Sequence, residues 1–186
     1  MIYFRYRSFH ERKRYFSLNE SIQVKYRLLP HAPEGQLQKK NKSDAGFDLM
    51  AADDIVIHPV TYLPTVSERV RFADGSIHSR TKYPRQLIRT GIQLEPEKLS
   101  FFLVLPRSGF SSDYLLLMRN GPGLIDFEYR GELLISVYAF FHGIPIARGE
   151  RIAQLVPVCQ NPVEMIRAEK LSDSRRGTNG FGSSGI

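Results

Sequence analysis

Asp126 is the residue from which chemistry is most easily built in this chain. It stands within Gly123-Leu124-Ile125-Asp126-Phe127-Glu128-Tyr129-Arg130-Gly131-Glu132, between an apolar run and a glycine, with an aromatic ring three positions on. The pattern predicts a tight hairpin that presents an acid to a pocket. A carboxylate fixed in this way can serve as general base towards water, provided the water lies within hydrogen-bond reach. Gly121-Pro122-Gly123 interrupts the chain ahead of it, since glycine carries no Cβ and proline no N–H donor. The apolar run Leu133 to Phe141 is long enough to anchor the return. Taken alone, an Asp-x-x-Tyr segment also reads as a plain turn, because aspartate and glycine are ordinary turn formers.

Other residue types suit an anionic ligand. Arg107-Ser108-Gly109 follows the apolar run Phe101 to Leu105. A guanidinium makes charge-assisted, often bidentate bonds to phosphate oxygens; Ser108 adds a hydroxyl, and Gly109 lets backbone come close. Gln154 interrupts an otherwise apolar Ile152 to Val158, where a buried amide would need partners. The tail from Arg175 to Gly185 is too glycine-rich for a core, yet its successive N–H groups could wrap a phosphate. Each of these also has a bland reading: a common triplet, a polar strand residue, a mobile C-terminus.

Five short segments together narrow the choice. Ala45-Gly46-Phe47-Asp48-Leu49, Pro106-Arg107-Ser108-Gly109, the Asp126 segment, Gly149-Glu150-Arg151-Ile152-Ala153-Gln154-Leu155 and Arg176-Gly177-Thr178-Asn179-Gly180-Phe181-Gly182-Ser183-Ser184-Gly185 occur in this order. In kind and order they resemble the five motifs of the trimeric deoxyuridine triphosphate nucleotidohydrolases (dUTPases), over roughly residues 22 to 186 apart from one insertion.

The resemblance implies attack of water on the α-phosphorus of dUTP, giving dUMP and pyrophosphate with Mg²⁺ as cofactor, in a homotrimer whose sites are shared between subunits. It makes Asp126 the water-activating base. Tyr129 would lie under the deoxyribose and exclude a 2′-hydroxyl. Asn120, with the backbone of Gly123, Leu124 and Ile125, would contact uracil, and Leu134 would close that pocket. Arg107, Ser108 and Gly109 would hold the α- and β-phosphates. Gln154 would face phosphate and metal-bound water, and Asp48 would join it in the outer shell of Mg²⁺. Arg176 would meet the γ-phosphate and Phe181 would stack on uracil, supported by Gly182, Ser183 and Ser184.

The chain departs from the family pattern at four places. Asn179 stands for a usual glycine, and Ser184 for a usual threonine. Tyr114-Leu115 lies where a glycine commonly precedes the strand, and Ala139 where an asparagine is frequent. The related dCTP deaminase is the nearest enzymatic alternative, opposed by the Ile-Asp-x-x-Tyr segment and the full tail. A binding protein that has lost catalysis is the alternative from another class.

Composition agrees with a single globular domain: 186 residues, 42% hydrophobic and 11% aromatic. Cys159, the only cysteine, sits in the apolar run Leu155 to Cys159 and is expected to be a buried, inert thiol. None of the 5 histidines shows metal-ligand spacing. The longest apolar run falls far short of a membrane span. No secretory signal is recognisable, which points to the cytoplasm, with an organelle or the nucleus as alternatives because the N-terminal stretch is basic and poor in acids.

The net charge of +7 is uneven. Residues 1–27 carry +5 (7 basic, 2 acidic) and residues 66–90 carry +4 (6 basic, 2 acidic), whereas residues 91–186 are balanced at 10 and 10. The excess therefore lies in an N-terminal arm and a central segment, either of which could contact nucleic acid or protein or be a solvated surface.

Short apolar runs rich in β-branched and aromatic residues, bounded by Gly, Pro or polar turns, recur without a helix of three turns. They predict an all-β sandwich or barrel, and the resemblance specifies a distorted jelly roll. Residues 1–20 are expected to form a basic arm, 21–171 the β domain, and 172–186 a mobile glycine-rich arm. Between Pro59 and Gly91, within an insertion at about 60–88, Asp74-Gly75 separates Val70-Arg71-Phe72-Ala73 from Ser76-Ile77-His78-Ser79. An Asp-Gly pair in this setting predicts an inserted basic β-hairpin near 69–80, with a two-residue turn that needs positive φ at both central positions.

Overall fold

The computed structural model describes residues 23–97, 100–159, 163–170 and 172–174. The basic arm at 1–20 and the tail residues Arg176, Phe181, Gly182, Ser183 and Ser184 lie outside the described residues.

The chain folds as antiparallel β-structure with one short helix. In order the elements are β1 (Val24–Leu28), β2 (Phe47–Met50), β3 (Ile55–Ile57), β4 (Val66–Arg71), β5 (Ile77–Lys82), β6 (Gln86–Arg89), β7 (Ile92–Pro96), β8 (Ser100–Pro106), α1 (Ser108–Tyr114), β9 (Leu117–Met118), β10 (Gly123–Ile125), β11 (Leu134–Tyr138), β12 (Ile144–Ile146) and β13 (Arg151–Cys159). A four-stranded sheet runs β10-β8-β13-β2 and a three-stranded sheet β6-β11-β9, with the pairs β1-β7 and β3-β12 completing the body. Period-two alternation builds the core: Phe102 and Val104 of β8, Ile92 and Leu94 of β7, Ile135 and Val137 of β11, and Ile144 and Ile146 of β12 all point inward. They meet Leu49, Ile57, Ile88, Ile152 and Leu155 in one cluster. The fold observed is the expected all-β, jelly-roll-like sandwich.

Buried polar groups in this core are paired, as burial requires. Gln36 Nε2 donates to Thr90 O at 2.7 Å and to Met50 O at 2.9 Å, while its Oε1 accepts from Met50 N–H at 3.0 Å. That amide ties the loop between β1 and β2 to the strand that carries Asp48.

Several expectations need correction. Tyr114-Leu115 leads into a strand of only two residues: Tyr114 ends α1, Leu115 takes a left-handed conformation with φ 52°, and β9 is Leu117–Met118. The glycine expected before this strand is thus replaced by leucine where the backbone has positive φ. Cys159 is exposed, because it is the last residue of β13, where the inward alternation has ended. The segment around Asp126 is not a two-stranded hairpin either. β10 pairs with β8 in one sheet, and β11 pairs with β6 and β9 in another, so residues 126–133 cross between sheets.

The central insertion is a β-hairpin, β4 paired with β5. Its turn has three residues rather than two. Phe72 N–H bonds Ser76 O at 2.9 Å, Gly75 N–H bonds Phe72 O at 3.0 Å, and Gly75 alone has positive φ, +87°. Asp74 keeps an ordinary φ because its carboxylate caps the loop, accepting from Ser76 N–H at 2.9 Å and from Ser76 Oγ at 2.7 Å.

Candidate active site

Two groups of the predicted residues are assembled, at different places. The first lies where β2, β13 and β8 run side by side. Their register sets Gln154 opposite both Asp48 and Leu105, so Asp48, Gln154 and the Pro106–Arg107 corner converge although about a hundred positions of sequence separate β2 from the central strand β13. They line a pocket of about 330 Å³ with Lys40, Asp44, Gly46 and Ser108.

Asp48 is the hub. Arg107 Nε lies 3.0 Å from Asp48 Oδ1 and Arg151 Nη1 lies 3.3 Å from Oδ2. Arg107 Nη1 also donates to Arg151 O at 2.9 Å. Arg151 is not singled out by sequence, although it lies inside the fourth motif; its role depends on a partner from another strand. Gln154 is half-buried rather than fully buried. Its Nε2 donates to Pro106 O at 3.2 Å, and a Cβ on Gly46 would sit 3.0 Å from its Oε1. A side chain at position 46 would thus crowd Gln154 and Val156, and one of them would have to give. Across the mouth, hydrogen bonds from the backbone and side chain of Asn41 hold the Asp44 carboxyl below the usual range.

Arg107 precedes α1, so Ser108 and Gly109 occupy its first turn, where N–H groups have no intrahelical acceptor. A Cβ added at Gly109 would meet nothing within 4 Å. Packing within the chain does not call for glycine there.

The second group is the crossing from β10 to β11. Gly123 is buried against Val104 of β8, with the Asn120 amide nitrogen 3.8 Å from where its Cβ would be. Asp126 follows and is exposed. The turn beyond it is closed by Tyr129 N–H to Asp126 O at 3.1 Å. Tyr129 Oη donates to Glu132 O at 2.9 Å, and a Cβ on Gly131 would collide with that phenol oxygen. Gly131 is thus needed for ring clearance, not as the turn itself.

Glu132 anchors the segment from below. Its Oε1 accepts from Gly91 N–H at 2.8 Å and lies 2.8 Å from His31 Nε2, with Arg89 Nε 3.5 Å from Oε2. Burial would raise its pKa, but the hydrogen bonds from His31 and Gly91 and the charges of His31 and Arg89 outweigh that and hold the carboxyl below its ordinary value. Only the fold reveals this role, because the partners lie 41 and 101 positions away in sequence.

The two groups do not meet within one chain. β10 pairs Ile125 with Phe102 and Gly123 with Val104, so Asp126 lies towards the Phe101 end of β8 and Arg107 beyond the other. At about 3.4 Å per residue, their backbones are roughly 20 Å apart along the sheet. Leu124, Tyr129 and Leu134 are exposed beside Asp126, at 58, 43 and 41% of their surface. Among the described residues no cluster of three or more His, Cys, Asp or Glu side chains could hold a metal, and no helix is long and apolar enough to cross a membrane.

Comparison with known proteins fits this arrangement. The dUTPase family model matches residues 77–185. A deoxyuridine 5′-triphosphate nucleotidohydrolase of Tropheryma whipplei (strain Twist) is 35% identical over 156 residues, 80% of this chain and 87% of the relative. One from Nautilia profundicola is 36% identical over 149 residues, covering 78% and 87%. Among solved structures, a Staphylococcus bacteriophage 80alpha dUTPase variant with dUpNHpp superposes with a TM-score of 0.66 at 25% identity, covering 88% of this chain and 99% of that one. A dUTPase variant from phage phi11 of S. aureus, described with a structural Mg(II) ion, shares the fold at 22% identity and a TM-score of 0.59, over 81% and 99% of the two chains. On the family-model match and on relatives this similar over four fifths of its length, this chain belongs to the dUTPase family.

Proposed function

We propose that the chain hydrolyses dUTP to dUMP and pyrophosphate at a site made by joining the Asp126 crossing of one subunit to the Arg107 pocket of another. The observation that carries the reading is the separation of these two groups within one chain. A base and a phosphate clamp roughly 20 Å apart along one sheet cannot serve one scissile bond in the same chain, whereas a homotrimer can bring them together. The family membership supports both the reaction and the trimer.

In this reading uracil lies on the backbone of Gly123, Leu124 and Ile125, with the Asn120 amide at its edge and Leu134 alongside. Tyr129 sits beneath the deoxyribose, locked by its bond to Glu132 O, so a 2′-hydroxyl would meet a ring that cannot retreat. The triphosphate enters the partner pocket. Arg107 exchanges part of its pairing with Asp48 for phosphate oxygens, Ser108 donates its hydroxyl, and the open space at Gly109 admits the ligand to the free N–H groups of α1.

Asp126 orients a water and takes its proton as the water oxygen bonds to the α-phosphorus. The bond from that phosphorus to the bridging oxygen breaks, and pyrophosphate leaves with the electron pair, its charge met by Arg107. By the family resemblance Arg176 would meet the γ-phosphate and Phe181 would stack on uracil, with Gly182, Ser183 and Ser184 supporting.

The donor set suits Mg²⁺ held mainly by phosphate and water. The carboxylates of Asp44 and Asp48 and the side chain of Gln154, whose Nε2 donates to Pro106 O, line the same pocket. Magnesium keeps several waters in such sites and takes direct ligands from the substrate. Asp48 and Gln154 would hold its outer shell, and when bound it would supply positive charge against the phosphates.

The test is pyrophosphate release from dUTP, dCTP, dTTP and UTP with Mg²⁺, for the intact chain and Asp126→Asn. Release from dUTP alone, lowered by about 10³-fold in the variant with dUTP still bound, is expected. Ammonia released from dCTP, or unchanged turnover in the variant, would overturn the reading.

A further inference from the structure

The β4–β5 ribbon has two unlike faces. Directly opposed residues share a face in an antiparallel pair, so the register divides the side chains cleanly. One face carries Val66, Glu68 and Val70 opposite Lys82, Arg80 and His78. It is closed on itself: Glu68 takes Arg80 at 2.9 Å and Lys82 at 3.1 Å, and Phe72 stacks on His78 with ring centres 4.4 Å apart. Those contacts hold the Glu68 carboxyl below its usual range. A two-stranded ribbon is marginal by itself, and this face supplies its cross-strand support.

The other face carries Ser67, Arg69 and Arg71 opposite Thr81, Ser79 and Ile77. It holds two guanidinium groups, three hydroxyls and no carboxylate. All six residues are exposed, and neither arginine makes an ion pair among the described residues. The ribbon hydrogen-bonds to no other strand. Alternate residues on a strand stand about 6.8 Å apart, which sets the two arginines in a row along one edge.

We infer that this Arg69–Arg71 face is a sequence-independent docking surface for duplex nucleic acid. Guanidinium and hydroxyl donors without acceptors are the side chains that contact phosphate and sugar. A two-stranded ribbon also has the dimensions of a major-groove element. Ile77 is the one apolar side chain on the face, too little for insertion into a lipid surface. None of these six residues lines the Asp48 pocket or belongs to the Asp126 crossing, so this inference and the proposed hydrolysis can fail independently.

The experiment is anisotropy of a labelled mixed-sequence duplex DNA with the full chain, titrated with salt between roughly 50 and 200 mM. Arg69→Ser/Arg71→Ser should weaken binding roughly tenfold and flatten the slope of log K against log[salt] by about 1.8, while dUTP hydrolysis is unchanged. Arg80→Ser, on the closed face, should leave the slope as it was. No binding by the intact chain, an equal loss with Arg80→Ser, or loss only when residues 1–20 are removed would overturn the inference. So would dissociation of the oligomer in the double variant, which would make the face a subunit contact, or binding to anionic vesicles in place of DNA.

Discussion

The two halves of the site are held in opposite ways. The Arg107 pocket is built from three neighbouring strands, with Asp48 gripping both Arg107 and Arg151. The Asp126 crossing is braced by Glu132, by Tyr129 across the turn and by Gln93 Nε2 on Arg130 O, and leaves its carboxylate in the open. A pocket that must receive a multiply charged ligand gains from cations fixed in advance. A base that acts on a substrate carried by another subunit must instead project beyond its own chain. On the proposed reading, the crossing would stand on the delivering side of a subunit interface and the pocket on the receiving side.

The most forceful way to break that contrast is to separate the halves genetically. Asp126→Asn and Arg107→Ala chains should each be inactive, yet refolded together in equal amounts they should regain about a quarter of normal turnover, since one site in four then draws both intact residues from different chains. No recovery, with trimers formed, would place both residues in the same chain's site.

Removing the brace comes next. Glu132→Gln should cost about 2 kcal/mol in denaturant unfolding, the range for hydrogen bonds to a charged group. Because the folded pKa of Glu132 lies below its ordinary value of 4.5, its contribution is present above that pH and is lost as pH falls through the folded pKa. Stability of the intact chain should therefore drop faster on acidification than that of the variant. Equal acid profiles would rule out Glu132 as the anchor of the crossing.

Gly131→Ala tests the same brace more gently. The added methyl should displace the Tyr129 ring, costing about 1–3 kcal/mol, and discrimination between dUTP and UTP should narrow. A variant equally selective would show that the ring position is not set by Gly131. Smallest is Leu115→Gly, at the C-terminal end of α1. Relieving a left-handed leucine should stabilise the chain by about 0.5–1 kcal/mol, read as a higher melting temperature with turnover unchanged.

Local features are legible in the sequence where neighbours along the chain decide them. The β4–β5 hairpin is readable from Asp74-Gly75 because turn chemistry acts over a few residues. Its turn type is not, because an Asx cap from Asp74 to Ser76 competes with the two-residue turn. The strands ending at Cys159 and at Tyr138 are readable from alternation. The exposure of Cys159 is not, because alternation does not say where a strand leaves the core. The left-handed Leu115 is signalled only as a departure from the family's glycine.

What this chain's sequence determined unaided is its class, all-β by short alternating runs, and the family to which its five motifs assign it. Those properties depend on residue type and on order along the chain. The tertiary structure alone decided that Asp48 clamps Arg107 and Arg151, that Glu132 anchors Tyr129's turn through Gly91 and His31, and that Asp126 and Arg107 stand at opposite ends of one strand. Each of these is a relation between residues tens of positions apart or more, set by strand register and sheet order. Both follow from how whole apolar faces pack together, and no local pattern encodes them.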